Sequence, residues 1–300
     1  QFTSIQAAIN KAVADGHTSN DNPAFIEIYS GTYTENLNLS PGAHLIGQGT
    51  KIINPPAANG VGSEVTVVGN MTYANSNGLT RSQNRINIRG ICFTVLNGIT
   101  FTLSGTGAVD FLLDNCVVQK QTTGDVNPAF QFTNTNAASR IRWNDTFIFH
   151  DVATSIAMDL QRGSTEFRGK LAGVVSLNGV TLGAAATLSN AASLSVANNA
   201  SFTSGPFTAV VNLTNASNVV NGDRATFQNT LVGGIMFNCT ANANVRMRQC
   251  GLFLQDATSV MVKAVGGAAP TFISVSNAWG GTVSAPFNAC DAAVSQFENT

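Results

Sequence analysis

The hydrophobic positions of this chain change period within its first thirty residues. Ile5, Ala8, Ile9 and Ala12 share one face of a helix, Ser4 stands at its N-cap, and Asp15-Gly16 supplies the stop, with Gly16 free to take the left-handed conformation. From Phe25 the period falls to two. The runs 25–29, 31–39 and 43–49 alternate or stay apolar for a few residues and end at Gly, Pro or Asn, as short strands separated by turns do. From about residue 84 such strands recur roughly every 20 to 30 residues, the range of solenoid coils. The clearest copies are 84–94, 109–118, 140–149, 198–203, 222–228 and 244–254, each an alternating strand, a polar pair and a second strand.

A parallel β-helix explains this form, because strands of successive coils pair about 4.8 Å apart and equivalent side chains stack in columns. Phe93, Phe147, Phe202, Phe227 and Phe253 are then expected as stacked core aromatics. The alternative is a sandwich of two antiparallel layers filled by the 18 Phe. Residues 51–83, rich in Pro, Gly and Asn, are expected to leave the coil as a loop or hairpin, and 171–221 to form narrow coils of small residues. The expected organisation is a single domain over 1–300: capping helix and first coils (1–50), excursion (51–83), regular coils (84–269) and a C-terminal cap (270–300).

Three opening motifs carry a family resemblance: Ile26 to Ile28 as I-x-I, Gly31 to Leu37 as G-x-Y-x-E-x-L, and Leu45 to Gly49 as L-x-G-x-G, all after a capping helix. This order resembles the pectin lyase-like superfamily, especially its pectinesterase branch. The resemblance implies an all-β fold, a single-stranded right-handed parallel β-helix with an N-terminal capping α-helix. It does not imply one activity, since the same opening serves enzymes, viral fibres and surface proteins.

Charged residues make up 10% of the chain, against roughly 25% in ordinary soluble proteins. Asn, Thr, Ser and Gly supply the polarity instead. With a net charge of −1 the chain has no long-range attraction for nucleic acid or an anionic membrane, and no apolar run is long enough for membrane insertion. Cys92, Cys116, Cys239, Cys250 and Cys290 form no C-x-x-C pair and have no His at zinc-finger spacing; most are expected as core thiols, without a structural metal. The first residue is Gln, so a processed product or a segment of a longer chain is expected.

The resemblance supplies a test for catalysis. Pectinesterases use two aspartates on neighbouring coils, an oxyanion-stabilising Q-A-V-A-L segment and a later G-R-P-W arginine. Here Asp110, in Val109-Asp110-Phe111-Leu112-Leu113, resembles the second aspartate, but no Asp or Glu lies between Glu64 and Asp110, and Q-A-V-A-L does not occur. Arg142-Trp143 lacks the flanking Gly and Pro. One carboxylate cannot act as nucleophile and general acid together, so Asp110 reads as a turn or strand-end residue. Asp145, Asp151, Asp159 and Glu166 are scattered singly, unlike the clustered acids of calcium-dependent lyases or polygalacturonases. Asn144-Asp145 and Asp223-Arg224 read as turns, His150-Asp151 as a surface pair, and Arg140/Arg142 and Arg246/Arg248 as outward basic pairs. Neither a phosphate loop, a nucleophile elbow nor an H-E-x-x-H motif is present.

These features predict a non-enzymatic structural or recognition protein without cofactor or metal, at a virion surface or otherwise extracellular: a fibre, spike or capsid decoration. Its expected partners are copies of itself, as a homotrimer, neighbouring virion proteins and a host-surface glycan. Two alternatives are a bacterial surface adhesin and a carbohydrate-active enzyme for which Asp110, Asp145 and Arg142 are the first residues to mutate. The enzyme reading requires two carboxylates on one outer face about 5 to 10 Å apart.

Overall fold

A computed structural model describes residues 2–49, 51–53, 61–75, 78–95, 98–120, 125–176, 179–202, 205–281 and 290–299. The chain is an all-β parallel β-helix with one helix at its N-terminal end. That helix, Ile5–Ala14, starts where the sequence places it: Ser4 accepts a hydrogen bond from the Ala7 N–H at 3.2 Å, and Gly16 follows the last turn at φ +91°. Its apolar stripe, Ile5, Ile9 and Ala12, is buried, and the helix packs on strands of the first two coils.

Three sheets run the length of the solenoid, with eleven, ten and nine strands, and every strand pairing within them is parallel. The first sheet begins with Ala24–Ile28, the second with Gly31–Thr34 and the third with Leu37–Asn38. A coil visits the sheets in that order and returns to the first. Thus Asp110 pairs with Arg140, Arg140 with Ser164, Ser193 with Val219 and Val219 with Asn244.

The polar pair that recurs in the sequence is the bend between the first and second sheets. One residue there takes a left-handed conformation in coil after coil: Asn115 (φ +54°), Asp145 (+42°), Arg224 (+51°) and Gln249 (+50°). Short polar side chains tolerate that region better than branched ones. The bends also stack, for the Asn115 N–H donates to Asn144 O and the Arg224 N–H to Arg248 O. Sharp corners of this kind let flat strands close around a core.

Apart from a small cluster of Cys92, Val117, Phe149 and Val175 on the outer side of the second sheet, the core is one continuous cluster. Its spine is aromatic: Phe93, Phe101, Phe111, Phe130, Trp143, Phe167, Phe202, Phe227 and Phe237 follow one another through ring contacts, closest at 4.8 Å between Phe93 and Phe101 and between Phe130 and Trp143. Each such pair contributes about 0.5–1.5 kcal/mol beyond the area it buries. Gly222 is required by this packing, since a Cβ there would lie 2.6 Å from Met247 Sδ and 2.8 Å from Cys250 Sγ.

Two of the five expected core phenylalanines point the other way. In the second sheet Phe93 continues through Val118, Ile148, Val174, Phe202, Phe227 and Leu252. Ile148 and Leu252 occupy the core positions, so the adjacent Phe147 and Phe253 fall on the outer side and are only partly buried. A displacement of one residue reverses the face in a period-two element, and each of these strands offers apolar side chains on both faces.

Between 51 and 83 the chain is less irregular than its composition predicts. Lys51–Ile53 and Val61–Ser63 do pair as an antiparallel hairpin, but Val65–Val68 and Met71–Asn75 are coil strands of the second and third sheets. Cys92, Cys116, Cys239 and Cys250 are buried, as expected of core thiols, and Cys290 is partly buried.

Outward positions stack as strictly as inward ones. On the third sheet one outer column runs Asn38, Thr72, Thr102, Gln131, Asp159, Thr187, Asn212, Asn238, Lys263. Side-chain bonds join some of its rungs, as from Asn238 Nδ2 to Asn212 Oδ1 at 3.0 Å and from Gln131 Nε2 to Asp159 Oδ2 at 3.2 Å.

Candidate functional site

Strand register alone assembles a charged face on the first sheet. Arg85, Asp110 and Arg140 occupy one outer column, and Arg142 stacks against Glu166 two residues further along. Asp110 is the first residue of the strand Asp110–Asp114, in agreement with the strand-end reading. It is 5% exposed. Both of its oxygens are occupied: Arg85 Nε donates to Oδ2 at 2.9 Å, and Arg142 Nη2 donates to Oδ1 and Oδ2 at 2.9 and 3.0 Å.

Glu166 repeats the arrangement two coils along the stack. It accepts from Arg140 Nη2 at 2.6 Å and pairs with Arg168. Burial works against its charge, but the two guanidinium groups outweigh burial and hold its pKa below the usual carboxylate value. Glu166 is therefore ionised at neutral pH and is not a proton donor. Arg89 and Asp114, 3.6 Å apart, extend the lattice.

Asp110 and Glu166 lie on the same face, two coils apart and two residues out of register, a backbone separation of about 12 Å by strand spacing and rise. That is wider than the roughly 5–10 Å window for a pair of glycoside-cleaving carboxylates. Chemistry requires more than separation. One member must hold a proton or attack a carbon, and here both carboxylates are held by paired arginines.

Of the residues chosen for the enzyme alternative, the structure brings Asp110 and Arg142 together and leaves Asp145 elsewhere. Asp145 occupies the bend after Asn144, where Oδ1 accepts the Leu171 N–H at 3.2 Å. It borders a shallow depression with Arg89, Asp114 and Lys170. Its turn geometry matches the sequence reading, and no contact joins it to Asp110 among the described residues.

A second cluster lies inside the molecule. Lys120, His150 and Ser176 are register neighbours at the ends of successive second-sheet strands. The Lys120 side chain is fully buried; its Nζ lies 3.2 Å from Asp125 Oδ2 and also donates to Asn127 O. Asp125, hydrogen bonded to Asn127 and Gly98 backbone N–H groups and to Lys120, has a pKa pulled down to about 2 against the opposing effect of its burial.

His150 is 0% exposed, so the expected surface pair with Asp151 is replaced by a core histidine. Its Nδ1 accepts the Val152 N–H at 3.2 Å and its Nε2 lies 3.0 Å from Ser155 Oγ. With Nδ1 accepting, the neutral ring carries its proton on Nε2 and donates to Ser155, whose hydroxyl donates to Val152 O at 3.0 Å. The proton direction is opposite to that of a serine activated by a base. This cluster pins a bend.

Sequence reasoning missed Glu166, Arg85 and Lys120. The first two had a signal, because outward charges change sign between stacked neighbours, Arg85 to Asp110 to Arg140 in one column and Arg142 to Glu166 in another. Lys120 had none, for nothing adjacent distinguishes it from a solvated strand end. Among the described residues no group of three or more His, Cys, Asp or Glu could hold a metal ion, and no helix is long and apolar enough to cross a membrane.

Comparison with known proteins adds no relative: no family model, no curated protein and no solved structure matches this chain.

Proposed function

We propose that this chain is a non-enzymatic structural or recognition protein of the pectin lyase-like kind, displayed on an exposed surface as a virion fibre, spike or capsid decoration. The observation that carries the non-enzymatic part is the state of the outward acids. Asp110 and Glu166, on the outer face of the first sheet, are each engaged by two arginines. The arrangement stabilises neighbouring coils by cross-strand charge pairing and leaves no free acid, base or nucleophile there.

The rest of the reading is supported by the build of the molecule. A continuous core runs through coils whose polarity comes more from Asn, Thr and Ser than from charged residues, and a chain poor in charge suits contact with sister copies and neighbouring virion proteins. The capping helix, with Glu35 of the G-x-Y-x-E-x-L motif bound at its N-terminus, gives two parts of the family resemblance one structural purpose.

Incubation of the purified protein with neutral and acidic polysaccharides tests the enzymatic question. No release of reducing ends or unsaturated products is expected, and sustained release would overturn the reading. Immunogold electron microscopy of the native source particle tests the location, with ordered labelling of virions expected. Labelling confined to a cell surface would point to the adhesin instead.

A further inference from the structure

The first rungs of the third sheet's outer column, uncharged from Asn38 as far as Gln131, form the floor of a groove. Asn38, Thr72 and Thr102 stack there, with Gln6 of the capping helix and the bend residues Asn36 and Asn70 beside them. The groove has a volume of about 760 Å³, and none of its lining residues is charged.

Several of its polar groups are fixed but not consumed. Gln6 holds the Asn38 backbone from both sides, its Oε1 accepting the Asn38 N–H at 2.6 Å and its Nε2 donating to Asn38 O at 3.4 Å. The side chains of Asn38 and Thr102 make no hydrogen bond among the described residues, and Asn38 is exposed. Asn36 and Asn70 spend one group each on structure: Asn36 Oδ1 accepts the Asn70 N–H at 2.9 Å, and Asn70 Nδ2 donates to Ile99 O at 2.6 Å. The Asn36 amide N–H groups and the Asn70 amide oxygen remain.

We propose that this groove binds a neutral polysaccharide chain lying along the helix axis, its hydroxyl groups paired with the amide and hydroxyl side chains of the third-sheet column. This deepens the recognition role proposed above and rests on it. The rungs are spaced by the strand separation of about 4.8 Å, comparable to the advance of one sugar unit along an extended chain. A uronate, sialylated or sulfated chain would bring its charge to a groove without a cation to receive it, a costly desolvation. A peptide strand is less suited, because Met71–Asn75 and Phe101–Gly105 already pair on both sides and the backbone N–H and C=O of Asn38, on the edge strand Leu37–Asn38, are taken by Gln6.

Isothermal titration of the full chain with linear neutral gluco- and galacto-oligosaccharides, and with oligogalacturonate and heparin fragments as charged controls, tests the assignment. Binding of at least one neutral series is expected, with little dependence on salt. The double variant N38A/T102A should weaken it about tenfold, the scale of two lost hydrogen bonds, and N38Q/T102S should recover part of the loss. Preference for the charged fragments, absence of binding to any series, or unchanged affinity in N38A/T102A with an unchanged melting curve would each overturn the groove. Cleavage of a bound neutral chain would instead overturn the non-enzymatic reading, while groove-dependent affinity would still support the site.

Discussion

A lysine with no solvent contact is the most demanding residue of this fold. Lys120 is tolerable because Asp125 and the Asn127 carbonyl receive its ammonium, yet its charge sits beside His150. Burial first, and Lys120 second, drive the His150 pKa from 6.5 down to about 4. The sign of the consequence is fixed by linkage. The unfolded histidine takes up a proton below about 6.5 and the folded one resists until about 4, so stability present at neutral pH is lost between those values as the solution is acidified. A shift of this size corresponds to on the order of 3 kcal/mol. Urea unfolding at pH 7, 5 and 4 should therefore show a falling midpoint, and His150→Gln should flatten that dependence over the same interval. Lys120→Met should cost about 3 kcal/mol at neutral pH by leaving Asp125 without its cation, measured by the same titration. A wild-type midpoint that holds constant from pH 7 to 4 would contradict the burial of a neutral ring.

Among elements, the capping helix depends on a residue that sequence proximity does not connect to it. Glu35 accepts from the Ser4 hydroxyl at 2.7 Å and from the Ile5 and Gln6 N–H groups at 2.8 and 3.0 Å, placing a carboxylate at the positive end of the helix. Burial opposes its charge, but these donors hold its pKa below the usual value. Glu35→Ala should cost about 1–2 kcal/mol and speed amide exchange in residues 5–14, whereas the central coils should keep their protection. Uniform loss of protection would show that the helix is part of one cooperative unit with them. The helix, the first- and second-sheet strands and the polar bends between them were legible in the sequence, since each follows from local periodicity and turn chemistry, whereas third-sheet strands such as Phe101–Gly105 and Phe207–Leu213 fell outside the two-strand repeat. Which face of an ambiguous strand points inward was not, as Phe147 and Phe253 show, because that choice belongs to the neighbouring coils. The charged face was half legible: Asp110 and Arg142 stood out singly, but their pairing is a matter of register, which local pattern leaves undetermined.

At the scale of the whole molecule, the solenoid is quasi-one-dimensional: each coil touches mainly the coils before and after it. Register then sets which deletions the fold can absorb. Removing residues 193–218 takes out one full turn and places Val219 on Ser164, Val220 on Thr165 and Phe227 above Val174, positions now held by Ser193, Leu194 and Phe202. Inward residues stay inward, and Phe227 succeeds Phe202 on the aromatic spine beside Phe167. Such a variant should fold, retain the β-sheet circular dichroism of the parent and melt in a single transition at a lower temperature, since one coil of burial is lost. Removing residues 193–205 instead brings the third-sheet strand Phe207–Leu213 to where a first-sheet strand is needed, and should leave the protein insoluble or molten. The comparison separates coil architecture from mere length, because the smaller deletion is the one expected to fail. Equal tolerance of both would mean that the coils are not the unit of stability.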